Sequence, residues 1–114
     1  MAHSLDEVVF MHMVVPQEIS KLDQYLLPSC QVLRGMSNGD RLSLLCSLME
    51  GAKTVTELGE ATGVYQPTLS QQLKVLKDEG IISGTREGTF MRYSIANPLV
   101  ISMMKLLYDQ YCEQ

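Results

Sequence analysis

The chain carries three cysteines, whose chemistry depends on their surroundings: Cys30, Cys46 and Cys112. An odd number at wide spacing does not build a disulfide framework, and a thiol reacts only as readily as it forms the thiolate. Cys46 lies on the apolar face of a predicted helix, where cysteine commonly serves as a small hydrophobic residue. From the residues alone, a reactive thiol and an inert core residue both stay open for Cys46.

A second group of side chains has the chemistry to recognise nucleic acid. The helix predicted from about Pro67 to Glu79 places leucines on one buried stripe and polar residues on the opposite side. Glutamine amides pair bidentately with adenine, and hydroxyl and ammonium groups bind bases or phosphates. The candidate DNA-binding residues of this region are Gln66, Thr68, Ser70, Gln71, Gln72 and Lys74. The alternative interpretation is an ordinary solvated helix face.

A β-hairpin is predicted directly after this helix. Residues 81–86 form its first strand, Glu87-Gly88 the turn, and residues 89–95 alternate with a period of two in the return strand. Arg86 and Arg92 are the candidate DNA contacts on the hairpin. A shorter helix, which ends at Gly63, precedes the polar helix. Two short helices joined by a tight glycine-containing turn and followed by a hairpin predict a winged helix-turn-helix, mainly α with a small β-hairpin.

The remaining elements are predicted to position this unit. Residues 1–17 show no clear helical period and are expected to form a flexible N-terminal arm, and residues 18–114 a single DNA-binding and dimerisation domain. A helix over 18–34 is kinked or restarted at Pro28, and the next helix, through about Met49, carries an apolar face. That face comprises Leu42, Leu45, Cys46 and Met49. Thr54 and Glu57 form a capping box that opens the short helix.

The last helix is predicted to open at Asn97-Pro98 and to run to about Cys112. It is apolar on more than one side, and a small monomer cannot bury all of that surface, so we expect a homodimer. The candidate interface residues are Leu22, Leu26, Met103, Leu107 and Tyr111.

Length and composition restrict the function classes. A chain of 114 residues has room for one domain, and no apolar run approaches the roughly 18 residues that cross a bilayer. With no basic leader, the expected location is the cytoplasm, without a membrane partner. The net charge of −4 opposes DNA binding, but residues 66–92 hold four basic and three acidic side chains and are nearly neutral. A winged-helix module that contacts only proteins is the alternative that this acidity favours.

The sequence contains few of the residue patterns that enzymes use for catalysis. The sequence has no Cys-x-x-Cys, no glycine-rich phosphate loop and no Ser/His/Asp constellation, and both histidines lie in the arm. We expect that the protein is not an enzyme and that it binds no cofactor. A thiol oxidoreductase that uses Cys46 and Cys112 is the enzymatic alternative.

Three segments carry a family resemblance. Residues 36–42, Met-Ser-Asn-Gly-Asp-Arg-Leu, stand where one repressor family has Leu-Ser-His-Pro-x-Arg-Leu. Residues 66–76 match the recognition helix of that family, and Glu79-Gly-Ile-Ile and Tyr93 complete the pattern. Residues 31–112 thus resemble the ArsR/SmtB family, which implies a homodimeric repressor that binds double-stranded operator DNA. Asn38-Gly39 and Tyr65 depart from the pattern at helix caps.

Within the family, the chain is similar to the two-cysteine, persulfide- or redox-sensing branch of the BigR, SqrR and HlyU type. That resemblance implies that Cys46 and Cys112 meet in one subunit and form a disulfide or polysulfide bridge when reactive sulfur species or oxidants arrive. Cys30 has no counterpart and is expected to be a spectator.

A metal-responsive repressor is the alternative within the family. Family metal sites use Cys-x-Cys in the third helix or Asp/His pairs in the last, since a metal needs three or four converging ligands. Neither pattern is present, so no metal is expected. A composite of His3, His12 and Cys30 stays open.

Overall fold

The computed structural model describes residues 5–112, and these residues are predominantly helical around a small antiparallel sheet. The elements in chain order are α1 (Leu5–Met13), a 3₁₀ helix (Ile19–Tyr25), α2 (Leu26–Met36), α3 (Gly39–Leu48), β1 (Lys53–Thr54), α4 (Val55–Thr62), α5 (Thr68–Asp78), β2 (Ile82–Glu87), β3 (Phe90–Ile95) and α6 (Pro98–Tyr111). Helices α4 and α5 with the β2–β3 hairpin form the predicted winged helix-turn-helix, so the expected fold class is confirmed. Within residues 5–112, no helix is long and apolar enough to cross a membrane.

Helix α1 lies inside the segment expected to be an arm without helical period. None of its residues is buried. Apolar residues run consecutively from Val8 to Met11, and such a run has no single apolar face, so the periodicity could not reveal the helix. The helical hydrogen bonds of α1 end at Val14, whose amide donates to the carbonyl of Phe10 over 3.2 Å. The flexibility of this segment relative to the domain stays a prediction.

The helix expected over residues 18–34 is divided in two. The 3₁₀ helix ends at Tyr25 and α2 restarts at Leu26, as anticipated from Pro28. Pro28 is the third residue of α2, where a backbone N–H would have no intrahelical acceptor, so the proline removes no helical hydrogen bond.

Side-chain caps set the starts of the next helices. Asn38 accepts a hydrogen bond from the Arg41 amide over 3.0 Å and thereby begins α3. The predicted capping box of α4 is confirmed: the Glu57 amide donates to Thr54 Oγ1 over 3.2 Å, and the Thr54 amide donates to Glu57 Oε1 over 2.8 Å. Gly63 ends α4 with a φ of 74°, a conformation that glycine adopts without steric cost.

The hydrophobic core lies between α3, α4, α5, the start of β2 and α6. The predicted leucine stripe of α5 is confirmed, because Leu69, Leu73 and Leu76 are all buried. The face predicted for α3 is confirmed for Leu45, which is buried, and Leu42 and Met49 are partly buried against the core. The buried apolar residues of α3 are Leu44, Leu45 and Leu48, whereas Cys46 is exposed. The prediction was wrong for Cys46 and did not include Leu44 and Leu48. Helix α3 packs against both α4 and α5, so its buried side extends beyond the single stripe that the sequence indicated.

The sheet has three strands rather than the two of the predicted hairpin, in the order β1-β3-β2. Strand β1 pairs antiparallel with β3, with Lys53 opposite Tyr93 and Thr54 opposite Arg92. Two residues are too short to show an alternating pattern, which is why the sequence did not reveal β1. The hairpin turn is Gly88-Thr89, one residue later than expected, since Glu87 still pairs with Phe90.

Helix α6 begins as predicted. Asn97 caps it by accepting a hydrogen bond from the Leu99 amide over 2.9 Å, and Pro98 occupies the first turn. Among the described residues of α6, only Val100 and Met104 are buried. Most of its apolar surface is therefore left uncovered by its own subunit.

Candidate functional site

The exposed side of α5 presents a polar surface. Because Leu69, Leu73 and Leu76 point into the core, Ser70, Gln71 and Lys74 lie on the solvent side, and Thr68 and Gln72 are half-buried at its edges. Within residues 5–112, the Gln71 side-chain amide makes no hydrogen bond. Its donor and acceptor are both free to pair with a base edge.

Gln66, just before α5, and Ser70, in its first turn, are joined by hydrogen bonds. Gln66 Oε1 accepts from the Ser70 amide over 3.1 Å and from Ser70 Oγ over 2.6 Å. This side-chain cap satisfies one of the amides that a helix leaves unpaired at its start. The Gln66 NH₂ group and the lone pairs of the Ser70 hydroxyl remain available for an external partner.

Gln72 is bonded to a residue that sequence reasoning did not select. Its Oε1 accepts from Nη1 of Arg41 over 2.7 Å. A bidentate adenine contact needs the amide oxygen and the amide nitrogen together, so the hydrogen bond that directs this oxygen toward Arg41 competes with that contact. The two residues are 31 positions apart, and no local pattern in the sequence connects them.

Lys74 forms an exposed ion pair within α5. Its Nζ lies 2.7 Å from Asp78 Oδ2, and the two side chains are 75% and 59% exposed. A surface pair of this kind contributes at most about 1 kcal/mol, so a phosphate can replace the carboxylate. The hydrogen bond does not remove Lys74 from the candidate interface.

The two arginines of the wing, the β2–β3 hairpin, differ in their surroundings. Arg92 Nε donates to Glu87 Oε2 over 3.0 Å, and Arg92 Nη1 lies 3.4 Å from Glu57 Oε1. The hydrogen bond with Glu87 raises the pKa of Arg92, and the nearby Glu57 charge adds to this. Arg86 is exposed and has no ion pair within the described part of the chain. Arg86 is thus the wing cation that is free to reach a phosphate.

Glu57 is held as a carboxylate by its cap. The hydrogen bond from the Thr54 backbone lowers the pKa of Glu57, and the charges of Arg92 and Lys53 lower it further. Glu57 therefore connects the start of α4 with β3 through Arg92.

Apolar side chains are exposed on α6 and on the segment before α3. Leu107 and Tyr111 are 41% and 70% exposed, and Leu22 and Leu26 are 50% and 52% exposed. Met103 is half-buried and lies on the same stripe of α6 as Leu107 and Tyr111, at intervals of four residues. These residues are available to a second subunit, as the interface prediction requires.

All three cysteines are free and exposed. Cys46 lines a cavity of about 350 Å³ between α3 and α6, together with Met104 and Tyr108 of α6. Cys112 follows Tyr108 by four residues, and its amide donates to the Tyr108 carbonyl over 2.7 Å, so Cys112 continues the row of α6 that contains Met104 and Tyr108. The exposure of Cys46 argues against a core role within one subunit.

His12 and Cys30 belong to no cluster of potential metal ligands within residues 5–112. His12 Nδ1 lies 2.9 Å from the Val8 carbonyl, and His3 lies outside residues 5–112. Over that range, no group of three or more His, Cys, Asp or Glu side chains is arranged to hold a metal ion.

Comparison with known proteins identifies relatives across most of this arrangement. Residues 38–83 match the family model described as bacterial regulatory protein, arsR family. The biofilm growth-associated repressor of Xylella fastidiosa is 37% identical over 83 residues, which cover 73% of each chain.

Two solved structures extend the similarity to the fold. The crystal structure of the transcriptional repressor BigR from Xylella fastidiosa superposes with a TM-score of 0.76 at 32% identity, covering 89% of this chain and 100% of that one. The homodimeric winged helix-turn-helix DNA-binding domain Mb0332 from Mycobacterium bovis superposes with a TM-score of 0.67 at 31% identity, covering 82% and 84%. The resemblance to the BigR-like members of the family is confirmed.

Proposed function

Since this chain belongs to the arsR family of bacterial regulatory proteins, we propose that it is a homodimeric transcriptional repressor of double-stranded operator DNA rather than an enzyme. The observation that carries the proposal is the polar side of α5, where Gln71 is exposed and unpaired beside a wing with a free Arg86. A helix-turn-helix inserts its second helix into the major groove, and α5 is that helix.

The proposed contacts divide into those that read sequence and those that hold the backbone. Gln71 reads an adenine through its amide, and Thr68 and Ser70 offer hydroxyls to bases or phosphates. Gln66 lies at the start of the same helix with its NH₂ group free. Lys74, Arg86 and, more weakly because it is paired, Arg92 contact phosphates.

The charge of the chain supports a dependence on base contacts. A net charge of −4 leaves little long-range attraction for DNA. We therefore expect weak non-specific affinity and a large ratio of specific to non-specific binding. A dimer doubles the set of contacts.

A two-fold dimer is proposed through the exposed apolar residues of α6 and of the segment before α3. The residues are Leu22, Leu26, Met103, Leu107 and Tyr111. A two-fold axis places two α5 helices on half-sites about one helical turn apart, so the operator should be palindromic.

The proposed signal is a reactive sulfur species or an oxidant that bridges Cys46 and Cys112. With an organic persulfide RSSH, the two thiols yield a disulfide, the thiol RSH and H₂S, and the protein loses two electrons to the sulfane sulfur. Each further sulfur atom inserted into the bridge comes from another persulfide, which leaves as RSH. The shared cavity of Cys46 and Tyr108, with Cys112 one turn beyond, supports this pairing.

The bridge is proposed to release DNA through the dimer. It would join α3, which packs against α5, to α6, which carries the interface stripe. Occupancy falls only if the bridge disfavours the DNA-competent arrangement, and a change of a few kcal/mol in that equilibrium is sufficient.

The test begins with selection of binding sites from randomised double-stranded DNA by the reduced protein. Wild type should enrich a palindromic site, and Gln71→Ala should weaken binding to it by roughly 1–3 kcal/mol. Gln17→Ala, which removes an exposed glutamine from the N-terminal segment, is the matched control and should bind as wild type does. Failure to enrich any sequence, with catalytic turnover of a disulfide by a thiol reductant, would move the function to a thiol oxidoreductase.

A further inference from the structure

Arg41, in the first turn of α3, connects two helices that do not follow each other in the chain. Its Nε donates to the Gly35 carbonyl over 2.7 Å, and its Nη2 donates to the Arg34 carbonyl over 3.0 Å. Its Nη1 donates to Gln72 Oε1 over 2.7 Å. One planar group thus binds the last turn of α2 and the middle of α5 at the same time.

The carbonyls that Arg41 binds lie at the carboxyl end of α2. The last carbonyls of a helix have no donors within the helix, although the Arg34 carbonyl also accepts from the amide of Ser37 over 3.3 Å. A cation at this end interacts favourably with the helix dipole. Three hydrogen bonds from a rigid guanidinium restrict its orientation far more than a single contact would. Arg41 is therefore held in place by α2 and presents Nη1 to α5 in a defined position.

The same turn of α2 also touches the base of the wing. Gly35 is buried, and a Cβ atom at this position would collide with Cδ1 of Ile81, the fully buried residue just before β2. The last turn of α2 is consequently in contact with both parts of the DNA-reading unit, with α5 through Arg41 and with the wing through Ile81.

We propose that Arg41 and Gln72 are positioning residues that set the orientation of α5 relative to α2, and that Gln72 holds Arg41 rather than reading a base. This inference rests on the proposed DNA-binding function. Helix α2 begins with Leu26 of the proposed dimer interface, so the orientation of α5 relative to α2 determines how the two α5 helices of the dimer are spaced. By fixing this spacing, the Arg41–Gln72 hydrogen bond makes the dimer prefer operators with one distance between the half-sites.

A double-mutant cycle tests the link. Gln72→Met keeps the length of the side chain and removes only its hydrogen bond with Arg41. Arg41→Met keeps the unbranched apolar part of the side chain and removes all three hydrogen bonds of the guanidinium, and Gln72→Glu keeps an acceptor for Arg41. Each Met variant should weaken binding to the selected operator by about 3- to 30-fold. The double variant should bind the operator at least as tightly as the single variant with the lower affinity. Independent effects that multiply in the double variant would overturn the proposal.

Operator spacing provides a readout that a general loss of stability does not change. Wild type should discriminate between the selected operator and one with an extra base pair between the half-sites, and both Met variants should lose much of this discrimination. The base preferences of both Met variants within a half-site should be unchanged. If Gln72 read a base, Gln72→Met would instead relax the base preference at one position of the half-site. Gln72→Glu should retain the spacing preference, although its added negative charge weakens all DNA binding.

The outcomes separate the two proposals. If wild type enriches no DNA, the DNA-binding function itself is wrong. If wild type binds and Gln71→Ala weakens binding, but Gln72→Met keeps the spacing preference, then DNA binding stands and the positioning role is rejected. Gln72 is half-buried, so Gln72→Met is expected to fold and decides the question even if Arg41→Met does not.

Discussion

Arg92 and Glu87 face each other within the wing, with Arg92 Nε donating to Glu87 Oε2 over 3.0 Å. The same guanidinium approaches Glu57 of α4, so one cation connects the hairpin with the start of α4. Arg86 on the neighbouring strand forms no ion pair with any carboxylate among residues 5–112. Two arginines that look equivalent in the sequence are therefore expected to contribute differently to DNA binding.

The first prediction compares these two arginines. Arg86→Gln should lower operator affinity and reduce the slope of log K against log salt by about 1 for each phosphate that the side chain no longer neutralises. Arg92→Gln, the matched control, should change the slope less and should lower the thermal midpoint more, because it removes the cation that Glu87 and Glu57 share. Binding titrations at several salt concentrations measure the slope. An unchanged slope in Arg86→Gln would place the wing away from the DNA.

The second prediction concerns the dimer. Leu107 is 41% exposed in one subunit, and burying an aspartate there against a second subunit leaves a charge without a partner. Leu107→Asp should therefore give folded monomers with weakened operator binding, while Leu107→Met, which keeps the apolar volume, should stay dimeric. Sedimentation equilibrium and circular dichroism distinguish these states. A monomeric wild type at micromolar concentration contradicts the interface.

The third prediction concerns the thiols. After treatment with an organic persulfide, wild type should release operator DNA, and Cys46→Ser and Cys112→Ser should each stay bound. Cys30→Ser is the matched control and should respond as wild type does. Mass spectrometry of digests should find Cys46 and Cys112 in one crosslinked species within a subunit. Release by Cys46→Ser would reject the pair, and a zinc-dependent response through Cys30 or His12 would favour a metal-responsive repressor.

The fourth prediction concerns acid stability. The pKa of Glu57 lies below its ordinary value of 4.5, chiefly because the Thr54 backbone donates to the carboxylate. A carboxyl group with a lower pKa in the folded state stabilises the fold above its unfolded pKa, and this contribution is lost as the pH falls through the folded pKa.

Glu57→Gln should consequently have a lower thermal midpoint than wild type near about pH 6, and the difference should shrink as the pH falls toward about pH 3. Glu60→Gln, at an exposed glutamate of the same helix, controls for the loss of one negative charge. Thermal melts across this range provide the measurement. A difference that is independent of pH would show that the carboxylate form of Glu57 does not stabilise the cap.

Much of the fold follows from local signals that the sequence contains. The capping box of Thr54 and Glu57 and the Asn97 cap depend on residues within three positions of each other, so the helix starts could be located without tertiary information. The leucine stripe of α5 is equally local, because a helix of 3.6 residues per turn brings Leu69, Leu73 and Leu76 to one side. The winged helix-turn-helix and the polar side of α5 were predictable for the same reason.

The tertiary structure decided which of the candidate side chains are free. Gln71 and Gln72 are adjacent and chemically identical, but Gln72 is held by Arg41, which lies 31 residues away. Cys46 is exposed because α3 is buried against α4 and α5 from two directions, and periodicity along one helix cannot specify the directions of two neighbours. The sequence determines residue types and helix faces through contacts within about one turn, whereas the partner of each polar group depends on segments that only folding brings together.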